Sequence, residues 1–164
     1  MFTYEPVAKR FFDGLEEGVF WGRKCSCCGA VSLPPYPACN ECGSTQAEWV
    51  DVTDAEVTVH EIYKIMPTYT YGDFAAYAPI FGAECTIDST KTEFNALIFG
   101  VTPKSYKTLV NEVPFAAKLV VMPMNGFKSM AVAINGAQPV PKRSFEVKEH
   151  TLGQALDQKN GANK

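Results

Sequence analysis

The 164-residue chain has no apolar stretch near the ~20 residues that a membrane-spanning helix needs. Residues 1–10 include Glu5, Lys9 and Arg10 and no apolar h-region, so no secretory leader is expected. Positive charge is scarce: 15 Lys and Arg against 18 Asp and Glu leave a net charge of −3, which gives no electrostatic drive toward phosphate backbones. Histidine occurs only at positions 60 and 150, and there is no Ser-His-Asp order, glycine-rich phosphate loop or pair of catalytic carboxylates. Charged residues make up 20% of the chain, below the usual ~25%, while aromatics reach 12% and prolines number eleven. That balance points to surface meant for contact rather than for water.

What the chain does have is a repeated cysteine turn. Cys25-Ser26-Cys27-Cys28-Gly29 and Cys39-Asn40-Glu41-Cys42-Gly43 each read Cys-x-x-Cys-Gly. A tight turn sets two sulfurs on one side, and two such knuckles facing each other supply the four thiolates of a tetrahedral Zn²⁺ site. Glycine after the second sulfur allows the backbone to return with φ > 0. A disulfide pair or a redox Cys-x-x-Cys is the alternative, and the duplication of the turn argues against both. One structural zinc per chain is therefore expected, on Cys25, Cys28, Cys39 and Cys42. With all four positions filled by protein, no water is activated there. Six cysteines without an export signal suit a reducing compartment, so a cytoplasmic location is expected.

Around the knuckles the hydrophobic period changes twice. Val7, Phe11, Phe12 and Leu15 mark one face of a helix over 4–17, with Gly18 at its C-cap. The Phe11-Phe12 pair is large for so short a helix and serves either its own domain or a partner. Val19-Phe20-Trp21 leads into the first knuckle, Leu33-Pro34-Pro35-Tyr36-Pro37 forms a stiff arm, and Glu48-Trp49-Val50 closes the ribbon. From residue 55 the pattern is strand after strand: 57–65, 80–87, 94–101, 117–122 and 127–134, the last two flanking Asn125-Gly126. A short helical insert falls at 105–110. Five such strands predict a small, partly open barrel of OB type, whose closure would bury both faces without covering helices. The expected division is an N-terminal helix (1–18), a zinc ribbon (19–52), an OB-fold (53–136) and a polar C-terminal tail (137–164).

The order of these pieces carries a resemblance. Helix, Phe-Phe-Asp-Gly-Leu-Glu-Glu-Gly (11–18), the first knuckle, Leu-Pro-Pro-Tyr-Pro (33–37), the second knuckle with Ser44, Glu48-Trp49 and the five-strand pattern follow one another over residues 5–136. This order resembles the zinc-ribbon OB-fold family of accessory subunits of thiolase-superfamily enzymes. The resemblance implies a mainly β chain with a helical N-terminus, a rubredoxin-like ribbon and an OB barrel. It further implies a larger thiolase-like catalytic partner in a hetro-oligomer, acyl-CoA near the interface, and, more narrowly, the small subunit of an aromatic 3-oxoacyl-CoA thiolase. The chain departs from the family pattern in Cys27 and in the aromatic loop of Tyr69, Tyr71, Phe74 and Tyr77.

The residues themselves agree with a subunit that is not catalytic alone. A thiolase-type reaction needs a nucleophilic cysteine and histidines to move protons. Cys85 reads as a buried small hydrophobe in mid-strand, Cys27 as an outward thiol in a knuckle, His60 as a surface or satisfied barrel residue, and His150 as part of the polar tail. The candidate contact residues are Phe11 and Phe12, the aromatic loop of Tyr69, Tyr71, Phe74 and Tyr77, and the cations Arg23, Lys24, Lys142 and Arg143 for a CoA phosphate. The loop between the first two strands sits where OB folds commonly bind ligands; its rings serve either an interface or the barrel's own core. A single-stranded nucleic-acid-binding module is the alternative function, disfavoured because residues 68–77 carry Asp73 and no Lys or Arg.

Overall fold

The computed structural model describes residues 5–66, 72–87 and 93–145. Helix α1 (Pro6–Glu17) starts where Pro6 forgoes a donor that would have no partner, and the Glu5 carboxylate accepts from the Val7 and Ala8 N–H groups. Gly18 ends it at φ 78°, as its place in the sequence predicts. One stripe of α1, Phe11, Gly14 and Leu15, is buried. Gly14 is required by contact: a Cβ there would strike the Trp21 indole and the Val19 carbonyl.

Three short antiparallel strands follow, β1 (Trp21–Cys25), β2 (Val31–Ser32) and β3 (Ala47–Asp51), in the order β2-β1-β3. They form the ribbon sheet, with Arg23 opposite both Ser32 and Trp49.

The barrel is built from β4 (Val57–Lys64), β5 (Phe81–Ile87), β6 (Glu93–Phe99), β7 (Phe115–Pro123) and β8 (Lys128–Ala133), with α2 (Pro103–Leu109) between β6 and β7. Its strand order is β4-β5-β6-β8-β7, and β7 returns to β4. All pairs are antiparallel except β6–β8. This is the OB topology, but the ring is fully closed where a partly open one was expected. The parallel pairing of Ile98 with Val132 and Phe99 with Ala133 supplies the closing seam. Asn125-Gly126 turns β7 into β8, with Gly126 at φ 83° and the Met124 N–H donating to the Phe127 carbonyl.

Closure buries the inward side chains, among them Val57, Val59, Ile62, Cys85 and Val132, all at most 2% exposed. This core runs on through Phe11, Leu15, Phe20, Leu33 and Val52, so α1 and the base of the ribbon share it. The outward faces of β6, β7 and β8 are apolar too, and closure alone does not bury them. A 3₁₀ turn (Gly72–Tyr77) folds back over Leu97, Phe99, Met122 and Ala131, and Phe145 packs beside it. The Lys142 N–H donates to the Ala76 carbonyl and the Phe145 ring packs against Tyr77, so the start of the predicted polar tail touches the barrel's cover at these two residues. Residue 4 of the predicted helix and residues 146–164 fall outside the described residues.

Candidate metal centre and contact surfaces

The two knuckles have the same hydrogen-bond geometry. In the first, the Gly29 N–H donates to the Cys25 carbonyl (2.9 Å) and the Cys25 N–H to the Ala30 carbonyl (2.8 Å). In the second, the Gly43 N–H donates to the Cys39 carbonyl and the Cys39 N–H to the Ser44 carbonyl, both at 2.8 Å. Gly29 and Gly43 stand at φ 77° and 74°, a conformation that costs a side-chain-bearing residue but not glycine. The turns face each other and bring the Sγ atoms of Cys25, Cys28, Cys39 and Cys42 within 4.8 Å of one another.

Cys25 and Cys42, and likewise Cys28 and Cys39, have their sulfurs 3.6 Å apart. That separation is far beyond the ~2.05 Å of a disulfide. It is close to the ~3.8 Å edge of a tetrahedron with Zn–S bonds of ~2.3 Å. The crowded sulfurs do not ionise alike: neighbouring sulfurs favour the thiolate at Cys25 and oppose it at Cys42 and, on balance, at Cys28. Backbone N–H groups of Cys28 and Cys27 favour the Cys25 thiolate and bring it down to about 6. At Cys42 the Ser44 N–H pulls the same way, but the neighbouring sulfurs of Cys25 and Cys28 and burial prevail, and its value rises to about 12. Cys28 is pushed up as well: the Ala30 N–H favours its thiolate, and the Cys39 sulfur with burial outweighs that. Four thiolates coexist here only around a cation. The donor set fits one structural zinc per chain, closed to water on all four sides.

Arg23, expected as a candidate for a CoA phosphate, is instead an internal staple of the ribbon. Its guanidinium donates to the carbonyls of Tyr36 and Pro37, both at 3.0 Å, and of Thr45 at 3.2 Å. These bonds tie β1 to the segment that carries Cys39 and Cys42. Its Nε is buried without a hydrogen-bond partner among the described residues. Arg23 also lies 5.8 Å from the Trp49 ring centroid, and Arg10 of α1 sits 4.7 Å from the Trp21 ring and 4.8 Å from the Trp49 ring. This stack joins helix to ribbon. Alternation places Trp21, Arg23 and Cys25 on one face of β1, but no sequence pattern places Arg10 over them.

The predicted contact residues divide. Phe11 is 6% exposed and belongs to the core, because the helical stripe that docks α1 includes it. Phe12, one position round the helix, is 38% exposed and meets Phe127 edge to face at 6.4 Å. Tyr77 is 2% exposed, its hydroxyl donates to the Pro123 carbonyl, and its ring packs on Phe99 and Phe145. It is a cover for the outer face of the barrel, not part of an interface. Phe74 stays on the surface, 41% exposed. Tyr69 and Tyr71 lie outside the described residues. Lys24 and Arg143 are exposed; the Lys142 ammonium donates to the Ala78 carbonyl.

Neither candidate nucleophile nor base is poised. Cys85 is fully buried, and burial, helped by the nearby Glu84 charge, pushes its thiol up to about 12. His60 is an exposed residue whose Nε2 is 2.9 Å from the Thr86 hydroxyl.

Residues 12–48 match the model of the ChsH2 rubredoxin-like zinc ribbon domain. This segment is similar to the ChsH2-type zinc ribbon. Ribbon and barrel together superpose on the Ltp2-ChsH2(DUF35) aldolase with a TM-score of 0.58 and 15% identity, over 81% of this chain and 98% of that one. A DUF35-family protein of unknown function from Sulfolobus solfataricus aligns at 0.50 and 21% identity, over 79% and 86%. These likenesses establish a shared fold: a ChsH2-type ribbon on an OB barrel, as in the zinc-ribbon OB-fold family. No curated protein sequence matches significantly. Among the described residues, no helix is long and apolar enough to cross a membrane.

Proposed function

We propose that the chain is a zinc-binding accessory subunit, not catalytic alone, of a thiolase-like enzyme complex acting on acyl-CoA thioesters, with cleavage of an aromatic 3-oxoacyl-CoA as the narrower reading. The observation that carries it is a ChsH2-type ribbon joined to a barrel that superposes on nearly the whole of a chain from the Ltp2-ChsH2(DUF35) aldolase, whose name pairs ChsH2 with a second component. The buried, neutral Cys85 and the outward His60 support the assignment of catalysis to a partner. In this reading α1 and the ribbon form a clamp for the larger subunit, with Phe12 and Phe74 offering apolar area at its surface. Acyl-CoA lies near that interface, and Lys24 on the ribbon and Arg143 beside the barrel's cover are two separate exposed cations for its phosphates. Zinc holds the clamp in shape, and a reducing cytoplasm keeps its thiols competent.

The test is purification of the tagged chain from its native host, identification of what accompanies it, and acyl-CoA turnover by the chain alone and by the complex. Turnover only in the presence of a thiolase-like subunit supports the reading. Turnover by the isolated chain, or a loss of several orders of magnitude in a folded complex carrying Cys85→Ala or His60→Ala, overturns it.

A further inference from the structure

Between α1, the Pro34-Pro35 arm and the barrel runs a groove of about 300 Å³, lined by Ala8, Phe12, Pro34, Pro35, Asn95 and Met130. At one edge it is apolar, with Phe12 and Phe127 both partly exposed. At the other it meets an acidic sheet face. Glu84 stands opposite Asn95 across β5–β6, and Glu61 stands opposite Glu84 across β4–β5. Glu93 lies two residues from Asn95, on the same face of β6. Neither ion pair formed among the described residues involves Glu61, Glu84 or Glu93. The face is also well ordered: Tyr63 lies across Gly82, where any Cβ would strike its ring, and its hydroxyl donates to the Asn95 Oδ1 at 3.3 Å.

Like charges directly opposite one another on a sheet oppose folding. Glu61 and Glu84 therefore weaken the free chain, and a cation arriving from outside turns their repulsion into attraction. We propose that this face docks a segment of a partner protein that presents lysine or arginine beside an apolar anchor. The anchor enters the groove next to Phe12 and Pro34. With adjacent strands ~4.8 Å apart, the cations stand about 5–10 Å from it, over Glu84 and Glu61. A phosphate backbone is repelled by the three carboxylates, and a second copy docking through the same face brings carboxylate against carboxylate. The partner meant is the catalytic subunit of the proposed complex, so this inference rests on that reading and assigns its contact face.

The experiment uses the complex purified from the native host, treated with a carbodiimide that joins carboxylates to lysines in direct contact. Cross-links from Glu61, Glu84 or Glu93 to partner lysines that flank an apolar residue are expected. Assembly by the Glu61→Lys/Glu84→Lys chain should be at least tenfold weaker, and by Glu61→Gln/Glu84→Gln weaker with a flatter salt dependence. Both free variants should melt no lower than the parent, which separates lost docking from lost folding. If a thiolase-like subunit assembles but the cross-links map elsewhere and the Lys variant binds normally, the docking face is wrong and the proposed function stands. If the cross-links map here but the partner is a basic protein of another kind, the face stands and the proposed function falls. Retention of no partner at all overturns both.

Discussion

The ribbon and the barrel solve the same problem by opposite means. The ribbon tip, residues 36–46, has no buried side chain, and its shape depends on four sulfurs and on the Arg23 guanidinium bonded to three carbonyls. The barrel needs no such staple, because a closed ring of five strands buries an inner core and a folded-back cover buries part of the outer face. One region is held by a few strong directional contacts, the other by many weak ones. Losses in the first should therefore be local and complete, and losses in the second shared and graded.

Removing zinc is the largest test of that contrast. Structural zinc sites contribute on the order of 10–16 kcal/mol of apparent binding free energy. Chelation, or Cys39→Ser, should abolish amide exchange protection across β1 to β3 while β4 to β8 keep theirs. Hydrogen exchange read segment by segment, with zinc content alongside, checks it. A single concerted loss of protection in both regions would show that the shared base at Phe20, Leu33 and Val52 couples them more strongly than the zinc separates them.

The converse change is Ile62→Ala, at a side chain 2% exposed inside the barrel. A cavity there costs about 2–5 kcal/mol, a large share of the ~5–15 kcal/mol that holds a typical domain. The midpoint of denaturant unfolding should fall sharply, while zinc stoichiometry at low denaturant stays at one. Zinc loss at the same denaturant concentration as barrel unfolding would break the contrast.

The aromatic loop shows where reading the sequence stopped. The knuckles, the Gly18 cap, the Asn125-Gly126 turn and the alternation of the strands were legible because each is a local pattern with a local physical cause. Whether a ring on the loop faces a partner or its own barrel depends on where the chain goes next, which no local pattern records. The 3₁₀ turn puts Tyr77 inward over Phe99 and leaves Phe74 outward. Arg23 failed for a related reason: a cation beside a metal knuckle looks like a ligand for anions until the carbonyls it serves are seen to come from residues 13, 14 and 22 positions away. Tyr77→Ala should cost about 2–4 kcal/mol and Phe74→Ala less than about 1 kcal/mol, the difference following burial. Thermal unfolding of the two variants compares them, and equal losses would mean that the outer cover is not a packed layer.

Arg10 tests how the helix is joined to the ribbon. Its guanidinium lies against Trp21 and Trp49, and partly desolvated cation–π contacts are worth about 0.5–2 kcal/mol. Arg10→Ala should destabilise by about 1–2 kcal/mol and loosen α1 without lowering zinc content. A double-mutant cycle with Trp49→Leu isolates the contact. No coupling between the two sites would leave Phe11 and Leu15 as the whole of the joint.

The smallest effect concerns the barrel alone and depends on pH. The Cys85 thiol is raised from its ordinary 9.0 to about 12, chiefly because burial disfavours the thiolate. In the unfolded chain it ionises near 9, so folding is favoured fully below that value and progressively less as pH rises toward 12. At pH 10, one unit above the unfolded value, the loss is about 1.4 kcal/mol, since one pKa unit is ~1.36 kcal/mol. Burial raises Tyr63 and Tyr77 above 10.0 as well, and they steepen the same limb. Both remain in Cys85→Ala, so the difference between parent and variant belongs to the thiol. With zinc bound, the ribbon sulfurs are likewise common to both. Denaturant unfolding between pH 8 and 10.5 should show the parent losing stability faster than Cys85→Ala, whatever their offset at neutral pH. Parallel curves would mean that water reaches Cys85 through the barrel wall, and the sealed inner core would have to be redrawn.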